Sequence, residues 1–144
     1  RLGSHHYMTM SILKLGDRTI EVAGHHQDIL IYRAAEDRVE VHPTNGTWLG
    51  IADSLEGFLT PSLIPIDSGD VVLLFTDGLT EAAAPSGEMF GQDRLARLFA
   101  ENASSGPSEV ALAIQRRLQS YQVDQDDDMT MLVIRKVESG SGAR

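Results

Sequence analysis

Two aspartates dominate the chemistry this chain could do. Asp77 closes the apolar run in "DVVLLFTDGLTEA", and Asp127 stands just before the apolar run in "QDDDMTMLVIR". If those runs are neighbouring antiparallel strands, the end of one lies beside the start of the other. Both carboxylates would then meet at one rim of a sheet. Close carboxylates repel and raise one pKa unless a cation neutralises them. Asp124, Asp126, Asp127 and Asp128 supply many oxygens, and there is neither a cysteine nor a clear histidine pair. That donor set favours Mg²⁺ or Mn²⁺ over zinc. The competing reading makes Asp77-Gly78 a hairpin turn and the acidic run a solvated loop. The residues alone leave both open.

Other polar groups are weaker candidates. His25-His26 follows Ala23-Gly24 at an expected tight turn, where a histidine pair is more often surface decoration than a ligand set. His5 and His6, near the start, carry less. Trp48 is expected to pack a loop onto the core. Glu81 and "EAAAPSGEMFG" could form a flap beside Asp77, although a solvent-exposed connection is the plainer expectation.

Bulk properties narrow the classes. A chain of 144 residues is one domain by length and can bury a real core. Its 42% hydrophobic and 23% charged residues are ordinary for a globular protein. Twelve basic against 21 acidic residues give a net charge of −9, which argues against nucleic acid as a partner. Zero cysteines remove disulfides, thiolate zinc sites and cysteine nucleophiles. No apolar run is long enough to span a bilayer, so the expectation is a soluble, cytoplasmic protein.

The elements that must position the aspartates follow from periodicity. From Thr19 to Val41 the chain reads as a β-meander, with turns at Gly24 and Glu36-Asp37. "HPTNGTWLGIADS" is a loop, followed by strands in "GFLTPSLIPI" and "DVVLLFTDG". Five consecutive apolar residues, 71–75, predict a strand buried on both faces. "GQDRLARLFAEN" and "GPSEVALAIQRRLQSY" carry apolar residues at helical spacing, with Pro107 and Glu109 suited to a first turn. "MTMLVIRKV" is a last strand, and residues 139–144 a disordered tail. The order predicts an α+β fold of mostly antiparallel strands.

Four stretches, in order, carry a resemblance. "AGHHQDILIYR", "LLFTDGLTEA", "GEMFGQDRLARLF" and "QDDDMTMLVIR" resemble the C-terminal part of the SpoIIE/RsbU-like bacterial branch of the PPM (PP2C-type) serine/threonine phosphatases. The resemblance implies that residues 1–138 are the C-terminal portion of an α-β-β-α sandwich, incomplete at its N-terminus. It implies a dinuclear Mn²⁺ or Mg²⁺ centre and hydrolysis of phosphoserine or phosphothreonine by two-metal chemistry. Asp77 and Asp127 match family metal ligands, while Gly78 and Asp128 stand beside them and hold the loop. Gly24 and His25 match a turn where relatives carry an acid near an additional metal, and are accessory at most.

The family's upstream motifs supply further aspartates, one of which bridges both metals, and nothing before residue 7 matches them. The expectation is therefore weak metal binding and little activity in this chain alone. Unpaired sheet edges would also favour association of two copies. The substrate implied by the resemblance is a phosphorylated STAS-type anti-sigma factor antagonist in a stress-response pathway, with a sensor or receiver domain upstream. A different class is a catalytically incomplete phosphatase fold acting in protein–protein interaction. A receiver or haloacid-dehalogenase-like fold fits poorly, because helices come late and position 79 is Leu rather than Asp.

Overall fold

The computed structural model describes residues 7–51, 54–57, 59–122 and 127–138. In chain order these form β1 (Met10–Leu15), β2 (Thr19–His25), β3 (Ile29–Arg33), β4 (Arg38–His42), β5 (Ser62–Pro65), β6 (Val71–Phe75), α1 (Gly78–Glu81), α2 (Gln92–Ala103), α3 (Pro107–Tyr121) and β7 (Met131–Arg135). All the strand pairings among them are antiparallel, as expected for the α+β class. Among the described residues no helix is long and apolar enough to cross a membrane. The anticipated tail at 139–144, the histidines at 5 and 6, and Asp124 and Asp126 lie outside the described residues.

The chain divides into two compact units. The first, Arg1–Asp28 with Pro43–Ile66, holds a three-stranded sheet in the order β1-β2-β5. Strand β2 alternates, with Ile20, Val22 and Gly24 buried and their neighbours more exposed. Loop residues 43–46 pack on its end. Thr44 is buried, and its Oγ1 accepts from the His26 amide at 2.9 Å while donating to the His26 carbonyl at 2.7 Å.

The second unit, Ile29–His42 with Asp67–Arg144, holds a four-stranded sheet in the order β4-β3-β6-β7. Strand β6 is central and buried at Val71, Val72, Leu73 and Phe75, as its apolar run predicts. Leu30 and Tyr32 of β3 join Val71, Leu73 and Phe75 in one core with the helices. The helices contribute Leu95 and Phe99 from α2 and Val110, Ile114 and Leu118 from α3, spaced for one face each. Pro107 opens α3, where its missing N–H is not needed.

Four expectations change. Residues 19–41 are not one meander: β2 pairs with β1 and β5, whereas β3 pairs with β4 and β6. The reason is burial. Strand β2 alternates, but "ILIY" is buried at all four positions and so belongs in the middle of a sheet. Gly24 is not a turn residue but lies inside β2 at φ +97°, opposite Ser11. The long strand expected from "GFLTPSLIPI" contracts to the four residues Ser62–Pro65, since Pro61 cannot donate to a ladder and closes its start. Trp48 does not enter the core: it is 39% exposed and stacks on Tyr7 with ring centroids 4.6 Å apart.

Candidate functional site

Strands β6 and β7 pair in the register Phe75↔Met131, which carries the chain ends beyond them to one rim. The pairing continues past the strands. The Thr76 amide donates to the Thr130 carbonyl at 3.0 Å, and the Thr130 amide donates to Thr76 Oγ1 at 3.0 Å. Thr76 Oγ1 also donates to the Asp128 carbonyl at 3.2 Å. One threonine thereby ties the Asp77 loop to the Asp127 loop. The sequence carried no signal for this role, because a threonine at a strand end is common and its partner is set by register.

Asp77 does not close a hairpin. It caps α1, with its Oδ1 accepting from the Gly78 amide at 3.2 Å and its carbonyl accepting from Thr80 and Glu81 at 2.8 Å each. The reason is that β6 is partnered by β3 and β7, so the chain after Asp77 turns into a helix instead of returning as an adjacent strand. A Cβ at Gly78 would stand 2.7 Å from the Asp128 carbonyl oxygen, so only glycine allows this approach. Asp127 Oδ1 accepts from the Asp128 amide at 2.8 Å, which shapes the second loop. Asp128 meets the Asp77 loop through its main-chain carbonyl.

Beside this rim lies a cleft of about 260 Å³ lined by Gly78, Glu81, Ala82, Met89, Gln122 and Asp127. One wall is an ordered hairpin built from the stretch expected to be an exposed connection. Ala83 bridges Met89, and the Phe90 amide donates to the Ala82 carbonyl at 2.8 Å. Phe90 is buried, and its ring meets Tyr121 edge-on at 5.1 Å. Arg94 fastens the hairpin to α3: its Nη1 donates to the Met89 carbonyl at 2.8 Å and to the Tyr121 hydroxyl at 3.1 Å, and its Nη2 pairs with Glu88. The Glu88 hydrogen bond raises the Arg94 pKa further above its already high value.

Gly24 and His25 are placed in the first unit. A Cβ on Gly24 would lie 2.2 Å from the Met10 carbonyl oxygen, and one on Gly46 would lie 2.9 Å from Gly24 itself. His25 Nδ1 lies 3.1 Å from the Thr44 carbonyl, an acceptor only, so that nitrogen donates. His26 Nδ1 pairs with Thr9 Oγ1 at 2.9 Å. Both rings thus have work inside their own unit.

The carboxylates of Asp77 and Asp127 offer oxygen donors, and no thiolate or imidazole lines the cleft beside them, a chemistry that fits a hard divalent cation in kind. In number it falls short: among the described residues no group of three or more His, Cys, Asp or Glu side chains is gathered to hold an ion.

Comparison with known proteins places this geometry in a family. The chain matches Stage II sporulation protein E (SpoIIE) over residues 1–137. Protein IcfG of Synechocystis sp. is 34% identical over 74 residues, which are 49% of this chain and 11% of that protein. The SiaA PP2C domain of Pseudomonas aeruginosa superposes with a TM-score of 0.68 at 26% identity, covering 82% of this chain and 46% of that one. The phosphatase domain of the cell fate determinant SpoIIE from Bacillus subtilis gives 0.66 at 18% identity, covering 96% and 61%. The chain therefore spans less than two thirds of the length of each of these relatives. Ordered motifs, antiparallel α+β fold and family match agree: this chain belongs to the SpoIIE family of PP2C-type phosphatase domains.

Proposed function

We propose that this chain carries the Asp77–Asp127 side of a metal-dependent protein serine/threonine phosphatase centre. The observation that supports it most is the β6–β7 pairing, which brings the Asp77 and Asp127 loops to one rim and locks them through Thr76 and Gly78. Asp77 and Asp127 would hold Mn²⁺ or Mg²⁺, with Gly78 and Asp128 setting the spacing of the loops. When bound, such ions neutralise phosphoryl charge and make water a stronger nucleophile near neutral pH. The chain's own contribution is positioning. Asp77 is oriented by the Gly78 amide and Asp127 by the Asp128 amide, so neither carboxylate is left to swing freely.

The substrate is proposed to be a phosphorylated regulatory protein of the STAS type acting in sigma-factor control, in the bacterial cytoplasm, with a sensor or receiver domain in the same polypeptide. The family membership supports that choice, as does the description of the B. subtilis relative as a cell fate determinant with a phosphatase domain. The outer edges of β1 and β7 have no strand partner among the described residues, which supports pairing with a second copy.

A second reading, a catalytically incomplete interaction module, is favoured by the small number of gathered carboxylates. Calorimetric titration with Mn²⁺ separates the two. The first reading expects weak binding that Asp77→Asn or Asp127→Asn abolishes. Tight binding indifferent to both substitutions would refute the site, and no binding at all would favour the interaction module.

A further inference from the structure

We infer that a pocket between α2 and α3 is a docking site for a short acidic segment of a partner protein, separate from the aspartate rim. The pocket, of about 270 Å³, is lined by Phe90, Arg94, Arg97, Leu98, Glu101 and Arg117. Three of the chain's 12 basic residues thus face one cavity, in a molecule whose net charge is −9. A concave surface lined mainly by one sign focuses its field, so this spot attracts a carboxylate although the molecule as a whole repels anions.

The three arginines are not equivalent. Arg94 is fully engaged: it pairs with Glu88 and donates to the Met89 and Phe90 carbonyls and to the Tyr121 hydroxyl. Arg97 uses only its Nε, which donates to the Asp93 carbonyl at 3.3 Å, and Arg117 stands over the Tyr121 ring at 5.7 Å from its centroid. Among the described residues neither Arg97 nor Arg117 belongs to an ion pair, not even with Glu101 beside them. Like charges gathered without counter-ions repel, and an arriving anion relieves that repulsion. The guanidinium fork donates in a geometry that fits the two oxygens of a carboxylate.

Two observations select the occupant. Phe90 and Leu98 lie among the cations, so apolar side chains flanking the acid gain contact there, whereas a bare inorganic anion does not. A polyanion such as nucleic acid extends beyond the pocket and meets the repulsion of the net charge of −9. A short protein segment with carboxylates among apolar side chains satisfies both conditions. Met89 lines the cleft at the rim and the next residue, Phe90, lines the arginine pocket, so a partner held here stands beside the rim without filling it.

The test reads fluorescence anisotropy of two labelled peptide pools with this chain. One pool carries Glu at alternate positions with randomised apolar residues between, and the other carries Gln in place of Glu. The wild type is expected to bind the Glu pool about tenfold more tightly than the Gln pool, with affinity falling as salt rises. Arg97→Gln/Arg117→Gln changes two exposed side chains and should weaken Glu-pool binding about tenfold. Glu101→Gln removes the only carboxylate among the lining residues and should tighten that binding about twofold, a gain that misfolding cannot produce. Equal binding of the two pools, Glu-pool affinity within twofold of wild type in the double variant, or weaker binding by Glu101→Gln overturns the inference. Displacement of the Glu pool by an equal concentration of inorganic phosphate, or tighter arginine-dependent binding of a single-stranded oligonucleotide, overturns it as well.

Discussion

At the scale of single residues, Gly78 shows how a site can depend on a missing atom. The Asp77 and Asp127 loops approach so closely that a methyl at position 78 would stand 2.7 Å from the Asp128 carbonyl, and that carbonyl is main chain. Gly78→Ala must therefore push the loops apart. The expected result is a loss of about 1–3 kcal/mol in urea unfolding, the usual cost of overpacking, together with weaker Mn²⁺ binding. Unchanged stability and unchanged Mn²⁺ affinity would show that the rim tolerates separation. The dipeptide Asp-Gly was legible as a special backbone position, but its reason was not. The residues left a turn or a place beside a metal ligand open for this glycine, whereas its need comes from the main-chain carbonyl of Asp128, a residue fifty positions away.

At the scale of elements, the β3–β4 hairpin and the start of β6 are held by a charge network at the end of the sheet away from Asp77. Buried Asp70 accepts from Arg33 Nη1 at 2.9 Å, from the Ala34 amide at 3.0 Å and from the Asp67 amide at 3.1 Å. Arg33 Nε donates to Glu40 at 2.7 Å, and that hydrogen bond is the main reason the Glu40 carboxyl is lowered to about 2. Because the folded pKa lies below the ordinary 4.5, the unfolded chain binds more protons in the interval between them. The contribution of Glu40 is therefore complete above the ordinary value and is lost as pH falls toward about 2. The urea midpoint of wild type should exceed that of Glu40→Gln at pH 6, and the gap should shrink steadily between pH 5 and pH 2. A gap that stays constant over that range would mean that Glu40 stabilises through packing and not through charge. None of this network was read from sequence, since Arg33, Glu40 and Asp70 become neighbours only when β3 pairs with β4 on one side and β6 on the other.

At the scale of the whole molecule, a ligand that binds only the folded chain must raise its apparent stability. If the rim holds Mn²⁺ as proposed, a concentration tenfold above the dissociation constant adds about 1.4 kcal/mol. Thermal unfolding should therefore move upward by a few degrees with Mn²⁺ in wild type and not in Asp77→Asn. An equal shift in both would place the ion elsewhere. Among the features that bear on this rim, periodicity alone specified the central strand β6 and the apolar faces of α2 and α3, because burial imposes a local repeat on each element, while the pairing of β6 with β7 was only a condition until the structure supplied it. Composition alone excluded thiolate ligands from any metal chemistry. Only the tertiary structure decided that β2 and β3 part into different sheets, that Asp77 starts a helix instead of a turn, that Thr76 joins the two loops, and that three arginines of α2 and α3 line one pocket. Those features rest on contacts between residues far apart in the chain, and a local pattern holds no record of which distant backbone atom will lie three ångströms away.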